Sequence, residues 1–123
     1  MGLFNGFLSQ PAEVSLKQIS LEFGLILVEG EFVEKAYKVE RDKLILTNKR
    51  LLIISETRNS QLEYMTIPYC NIRKFSKESK RMMKDDAELK IWLKEEPLPI
   101  KRTFKNGEGV NEIYLILSKH ICL

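Results

Sequence analysis

No apolar run in this sequence approaches the roughly 18 residues that a bilayer-spanning helix needs; Leu25 to Val28 and Leu51 to Ile54 are short and bounded by polar residues. A secretory leader is missing too, since the first basic residue is Lys17 and Asn5, Gly6, Ser9 and Gln10 break up the apolar residues ahead of it. The expectation is a cytoplasmic protein. Cysteine is scarce: Cys70 and Cys122 form neither a disulfide framework nor a C-x-x-C pair. Both read as reduced thiols, Cys70 packed at a strand end. His120, the single histidine, has no Ser, Cys or carboxylate at a motif spacing, so no enzyme is expected. His120-Ile-Cys122 supplies at most two zinc ligands, and a fraying C-terminal turn accounts for both residues. No metal or cofactor is expected. Gly2 follows Met1 as N-myristoylation requires, but Gly6 stands where that motif wants Ser or Thr.

What is present suits one folded domain: 123 residues, 44% hydrophobic and 30% charged. The net charge of +3 is unevenly spread, with eleven basic against six acidic side chains over residues 71–105. Arg73, Lys74, Lys77, Lys80, Arg81 and Lys84 against Glu78 account for that local excess. A run of this kind can steer an anionic partner or be a solvated loop. Its only interleaved aromatic is Phe75, so nucleic acid is not an expected partner.

Leu3, Phe4, Phe7 and Leu8 would line one side of a short helix whose polar face lacks the Lys and Arg of a membrane-surface anchor. Packing against the domain or a neighbouring subunit is the expectation. Ser15-Leu-Lys-Gln18 has the form of a capping box, and Leu16, Ile19, Phe23 and Ile26 repeat at helical spacing, which predicts a helix ending between Gly24 and Val28. From Glu31 the period shifts towards two. Strands are predicted near 32–39, 43–47, 50–55, 62–68, 71–78, 87–94 and 99–104, the spacing of a barrel or sandwich. Ile113, Ile116, Leu117 and Ile121 then predict a closing helix with Asn111 as its N-cap.

The most informative stretch is Leu44 to Ile54, two apolar runs meeting across a polar tetrapeptide. A two-residue Asn48-Lys49 loop fits, Asn48 taking the positive φ of a type I′ turn. Successive apolar residues on both strands mean that both sheet faces need cover. One face fills a barrel; the other needs a helix or another subunit.

Asp42 followed by T-N-K-R-L at 47–51, Ile67-Pro68-Tyr69, Ile72 with Phe75-Ser76 and Glu78, and D-A-E-L-K-I-W at 86–92 together resemble the bacterial pleckstrin-homology-like (PH-like) domain family over about residues 12–120. T-N-K-R-L alone is shared with other PH-like and GRAM-like domains. The resemblance implies a mainly β (α+β) fold: a barrel of two orthogonal antiparallel sheets, seven strands, with a C-terminal helix plugging one end. With the extra N-terminal helix, the organisation expected is a helical segment over 1–29 and the PH-like domain over 30–123. The resemblance also implies ring-shaped homo-oligomers with a protein-binding or assembly role, and carries no catalytic residues.

Alternation in Ala87 to Leu93 puts Ala87, Leu89, Ile91 and Leu93 on a core face and Glu88, Lys90 and Trp92 on the other, which Trp92 shares with Lys90 and Lys94. That face suits a subunit interface, where Trp is enriched as an anchor, or a surface covered by the N-terminal helix. Tyr69 after Pro68, with Arg50 at the hairpin base, would either add polar contacts near a rim or fill a strand-end role without function; Pro68 lacks a ladder donor and ends its strand or sits on an edge that a neighbouring chain could approach. The phosphoinositide sites of eukaryotic PH domains cluster cations between the first two strands, but here Glu40-Arg41-Asp42-Lys43 cancels in charge. The basic segment 73–84, with Met82-Met83 beside it, is the alternative anion patch for lipid headgroups. The expected function is non-catalytic binding by a cyclic homo-oligomer of about five protomers, with a protein partner.

Overall fold

The computed structural model describes residues 15, 17, 18, 21, 24–79 and 85–122. Seven strands form two antiparallel sheets. The first is a meander of β1 (Val33–Val39), β2 (Asp42–Thr47), β3 (Arg50–Glu56) and β4 (Leu62–Pro68); the second joins β5 (Ile72–Glu78), β6 (Ala87–Leu93) and β7 (Ile100–Phe104). A helix, α1 (Val110–Ile121), closes the chain.

Alternation decides which side chains meet. In the first sheet Tyr37 faces Leu44, Leu44 faces Ile53, and Leu46 faces Leu51 and through it Ile67, all on the inner side. Ala87, Leu89, Ile91 and Phe104 answer from the second sheet, and Val110, Ile113 and Leu117 of α1 complete one continuous core. Each such aliphatic side chain contributes about 1.5–3 kcal/mol on burial. The sheets are tied at one end by Arg102 of β7, whose Nε and Nη2 lie 2.8 and 2.7 Å from Asp42 Oδ2. Beside it the Thr103 N–H donates to Glu40 Oε2 at 2.8 Å.

The second face of the first sheet is covered by the chain itself. Ala36, Ile45, Leu52 and Ile54 are buried on the outer side, with Ile26, Leu27 and Val33 packed over them. Gly24–Ile26 is a 3-10 turn, where the expected helix was to end. Upstream, Lys17, Gln18 and Leu21 have helical backbone, and Ser15 Oγ accepts from the Gln18 N–H at 3.1 Å, half of the expected capping box. The apolar residues 3–8, and Leu16, Ile19 and Phe23, lie outside the described residues.

Two turn expectations are corrected. Asn48 does not take a positive φ. Thr47 Oγ1 accepts from the Lys49 and Arg50 N–H groups, each at 3.0 Å, so a side chain shapes the turn while Asn48 is used elsewhere. The N-cap of α1 is Gly109, at φ 85, not Asn111. Only a glycine fits there, because a Cβ would lie 2.5 Å from Tyr37 Cε1. Asn111 sits inside the helix and accepts from Lys77 Nζ.

Candidate functional site

The T-N-K-R block is a latch. Arg50 Nη2 donates to the Ile26 carbonyl at 2.7 Å and to Glu31 Oε1 at 2.9 Å, Nε donates to Glu31 Oε2 at 2.8 Å, and Nη1 reaches Thr66 Oγ1 at 2.9 Å. The Thr47 hydroxyl donates to Glu31 Oε2 at 2.6 Å. Asn48 Oδ1 accepts from the Phe32 N–H at 2.8 Å while its amide donates to the Gly30 carbonyl at 3.1 Å. Burial pushes the Glu31 carboxyl up, but bonds from Arg50, Thr47 and the Val28 N–H, with the Arg50 charge, outweigh it and hold the pKa at about 2. Arg50 therefore fastens the segment over the outer face and is not an open rim contact.

Tyr69, for which the sequence offered a rim contact or a strand-end role, directly follows β4 and is also buried. Its hydroxyl donates to the Thr47 carbonyl at 2.7 Å, and its ring stacks on His120 with centroids 4.4 Å apart and planes 5° from parallel. Burial, then the negative charges of Glu34 and Glu31, raise its pKa. The β1 register shifts between Val33 and Lys35, and Glu34, the extra residue, takes bonds on Oε1 from Lys119 at 3.1 Å and with His120 Nε2 at 3.0 Å. Burial raises the Glu34 pKa and those two partners outweigh it, so the net shift is downward. His120 is thus a packed element of the α1 seat, which corrects the fraying-turn expectation.

Glu112 on α1 behaves similarly, accepting from the Tyr37 hydroxyl at 2.6 Å and pairing with Lys35 at 3.2 Å. The Tyr37 bond foremost, then Lys35, lowers its pKa against the opposing effect of burial. Among the described residues no buried side-chain nitrogen or oxygen lacks a partner, and no group of three or more His, Cys, Asp or Glu could hold a metal. These clusters hold the fold. Cys70, expected to be packed, is exposed, as is Cys122.

The surface residues divide by strand alternation. Glu88, Lys90 and Trp92 share the outer face of the second sheet, as expected, joined by Lys74 and Lys101, the cross-strand neighbours of Trp92 and Lys90. Lys74 Nζ sits 4.6 Å from the centroid of the Trp92 ring. Lys94 is exposed in the turn after β6, its N–H bonded to the Asn71 carbonyl at 2.8 Å. The expected anion patch is not gathered on one face. Lys77 points to the opposite side, over Tyr114 at 5.2 Å, and Arg73, the extra residue where the β5 register shifts, reaches the Glu96 carbonyl at 3.4 Å. Lys80, Arg81 and Lys84 lie outside the described residues, as do Met82 and Met83.

The sequence pattern marked 62–68 as a strand and Pro68 as a strand end or edge, but did not single out the exposed apolar residues of β4. This strand ends the first sheet, and five successive residues, Leu62 to Thr66, are exposed. Leu62, Tyr64 and Met65 show 50%, 46% and 39% of their surface. Three large apolar residues, Leu62, Tyr64 and Met65, with Glu63 the single charge among residues 62–66, were the available signal.

Comparison with known proteins agrees with this architecture. The profile described as "Bacterial PH domain" matches residues 2–121. The uncharacterized protein YjqA of Bacillus subtilis (strain 168) is 34% identical over 126 residues, covering all of both chains. A crystal structure of a DUF1696 family protein with a pleckstrin-homology domain, from Shewanella loihica PV-4, superposes with a TM-score of 0.79 at 32% identity, covering 89% of this chain and 96% of that one. A pleckstrin homology domain from Shewanella amazonensis SB2B gives 0.77 at 30% identity, covering 89% and 100%. With two sheets, seven strands, a C-terminal helix and these relatives, the chain belongs to the bacterial PH domain family.

Proposed function

We propose that this domain is a non-catalytic binding module that works as a cyclic homo-oligomer and presents a protein-interaction surface. The observation that carries the reading is the open β4 edge. An edge strand offers unpaired backbone donors and acceptors, and proteins normally blunt it with charge, bulges or proline. Here Leu62, Tyr64 and Met65 stand exposed along it, and Pro68 occupies only its last position. Glu63 on β4 and Glu56 on β3 make this border acidic as well as apolar. The outer face of the second sheet is basic on balance, with Trp92 among Lys74, Lys90 and Lys101 and with Glu88, which lies 3.7 Å from Lys90. Two different patches meeting between copies make a heterologous interface, which closes into a ring when its rotation allows, about five copies here. Exposed, unpaired Cys70 and Cys122 suit a reducing cytoplasm.

Sedimentation velocity at micromolar concentration tests the assembly. The wild type should run as a single closed species, and Leu62→Glu with Tyr64→Glu should leave monomers with an unchanged circular dichroism spectrum. A monomeric wild type overturns the proposal. Trp92→Ala should also weaken assembly; an intact ring in that variant removes the Trp92 face from the interface.

A further inference from the structure

Two coverings meet the first sheet from opposite sides. The segment 24–31 lies over its outer face, on Ile45, Leu52 and Ile54, and α1 closes the inner core with Ile113 and Leu117. No described side chain belongs to both apolar clusters, so apolar packing does not join the two coverings directly. Polar contacts do. Thr47, wholly buried, serves both: its hydroxyl donates to Glu31 Oε2 at 2.6 Å, and its carbonyl accepts from the Tyr69 hydroxyl at 2.7 Å. The Tyr69 ring lies flat on His120 of α1, and His120 Nε2 is 3.0 Å from Glu34 Oε1, which Lys119 also reaches at 3.1 Å. One chain of contacts therefore runs from the Ile26 carbonyl and Arg50, through Glu31, Thr47 and Tyr69, to the last turn of α1.

We propose that this chain of contacts makes the segment 24–31 and the last turn of α1 one conformational unit, in which release of either loosens the other. When α1 lifts, Tyr69 loses the ring that holds it flat, and its hydroxyl is no longer fixed on the Thr47 carbonyl. A buried carbonyl without its donor is costly, so Thr47 moves to regain one and draws its hydroxyl off Glu31. That hydroxyl also accepts from the Lys49 and Arg50 N–H groups, so the turn that aims Arg50 at the segment moves with it. The two ends differ in access. The Lys119 side chain is 60% exposed, whereas the Glu31 side chain is fully covered. An acidic partner that draws Lys119 away from Glu34 thus acts on the segment over the outer face without touching it, and by reciprocity a change in that segment is felt at α1.

Native-state hydrogen exchange reads both ends. The Val28 and Phe32 amides, bonded to Glu31 Oε1 and Asn48 Oδ1, report on the segment; those of His120 and Ile121 report on the last turn of α1, and those of β6 on global unfolding. Glu34→Gln, which leaves the Tyr69–His120 stack in place, should speed Val28 and Phe32 about fivefold or more beyond any change in β6, and His120→Ala at least as much. Tyr69→Phe keeps a ring on His120 but removes the hydroxyl that reaches Thr47, so adding Glu34→Gln to it should change the segment no further. Asn48→Ala, which removes the bonds to Phe32 and Gly30, should in turn speed His120 and Ile121. Lys77→Ala removes contacts with Asn111 and Tyr114 of α1 that lie outside the chain of contacts, and should leave the segment unchanged. Segment amides that ignore both Glu34→Gln and His120→Ala, a Glu34→Gln effect that persists in Tyr69→Phe, α1 amides that ignore Asn48→Ala, or an equal effect of Lys77→Ala would overturn the proposal.

Discussion

Replacing Glu31 by Gln tests the latch directly, because it removes one charge from a pair whose carboxylate side chain is fully covered and lies 2.8 Å from Arg50 Nε. The carboxyl has a pKa of about 2 in the folded protein against a reference of 4.5. By linkage that difference corresponds to on the order of 3 kcal/mol of stability near neutral pH. The mutational expectation agrees in size, since removing one partner of a buried ion pair strands the other, at a cost of roughly 3–5 kcal/mol. For a chain of this length the loss should lower the melting temperature by roughly 10 °C or more. The folded pKa is depressed, so the contribution is complete above the unfolded value of 4.5 and is lost as pH falls through about 2. Thermal melts followed by circular dichroism should therefore show a wide gap between wild type and Glu31→Gln at neutral pH that narrows between those two values. A variant within about 1 kcal/mol of wild type, or a gap equally wide at both ends of that range, would refute the reasoning.

Tyr69→Phe leaves the Thr47 carbonyl without the donor now 2.7 Å away and should cost about 1–2 kcal/mol in urea unfolding at an unchanged m-value; an equal midpoint would show that the bond contributes nothing. Gly109→Ala should cost more than about 2 kcal/mol, because a Cβ collides with Tyr37 at a φ of 85. Gly30→Ala, at φ 81 but with no atom within 4 Å of the new Cβ, should lose only about 1–2 kcal/mol to backbone strain. Equal losses at the two positions would mean that the Tyr37 contact carries no weight.

Strands were legible because period-two alternation is a local signal: all seven lie within a residue or so of where the pattern put them. The core face of β6 followed for the same reason. What local pattern could not reach were the polar partners. Glu31 meets Thr47 and Arg50 from 16 and 19 residues away, and Glu34 meets His120 from 86. Nothing in the spacing of those residues announces the meeting. Arg50, and Tyr69 in its rim reading, were misplaced because an amphipathic or charged side chain reads as surface until its buried acceptor is known. Lys77 was misplaced because a charge run is counted along the chain, whereas a strand deals alternate residues to opposite faces. Asn48 resembled a turn former, yet its amide serves the backbone at Gly30 and Phe32.

The latch at Thr47 to Arg50 also imposes an order of events as the chain folds. Residues 24–31 emerge from the ribosome before the side chains that fasten them, and those side chains flank the β2–β3 turn. Seating of the segment therefore waits for the hairpin to close, and Ile45, Leu52 and Ile54 stay uncovered during that wait. The contact that fastens the segment thus belongs to a late step of folding, because its two halves come from separate parts of the chain that must both be in place.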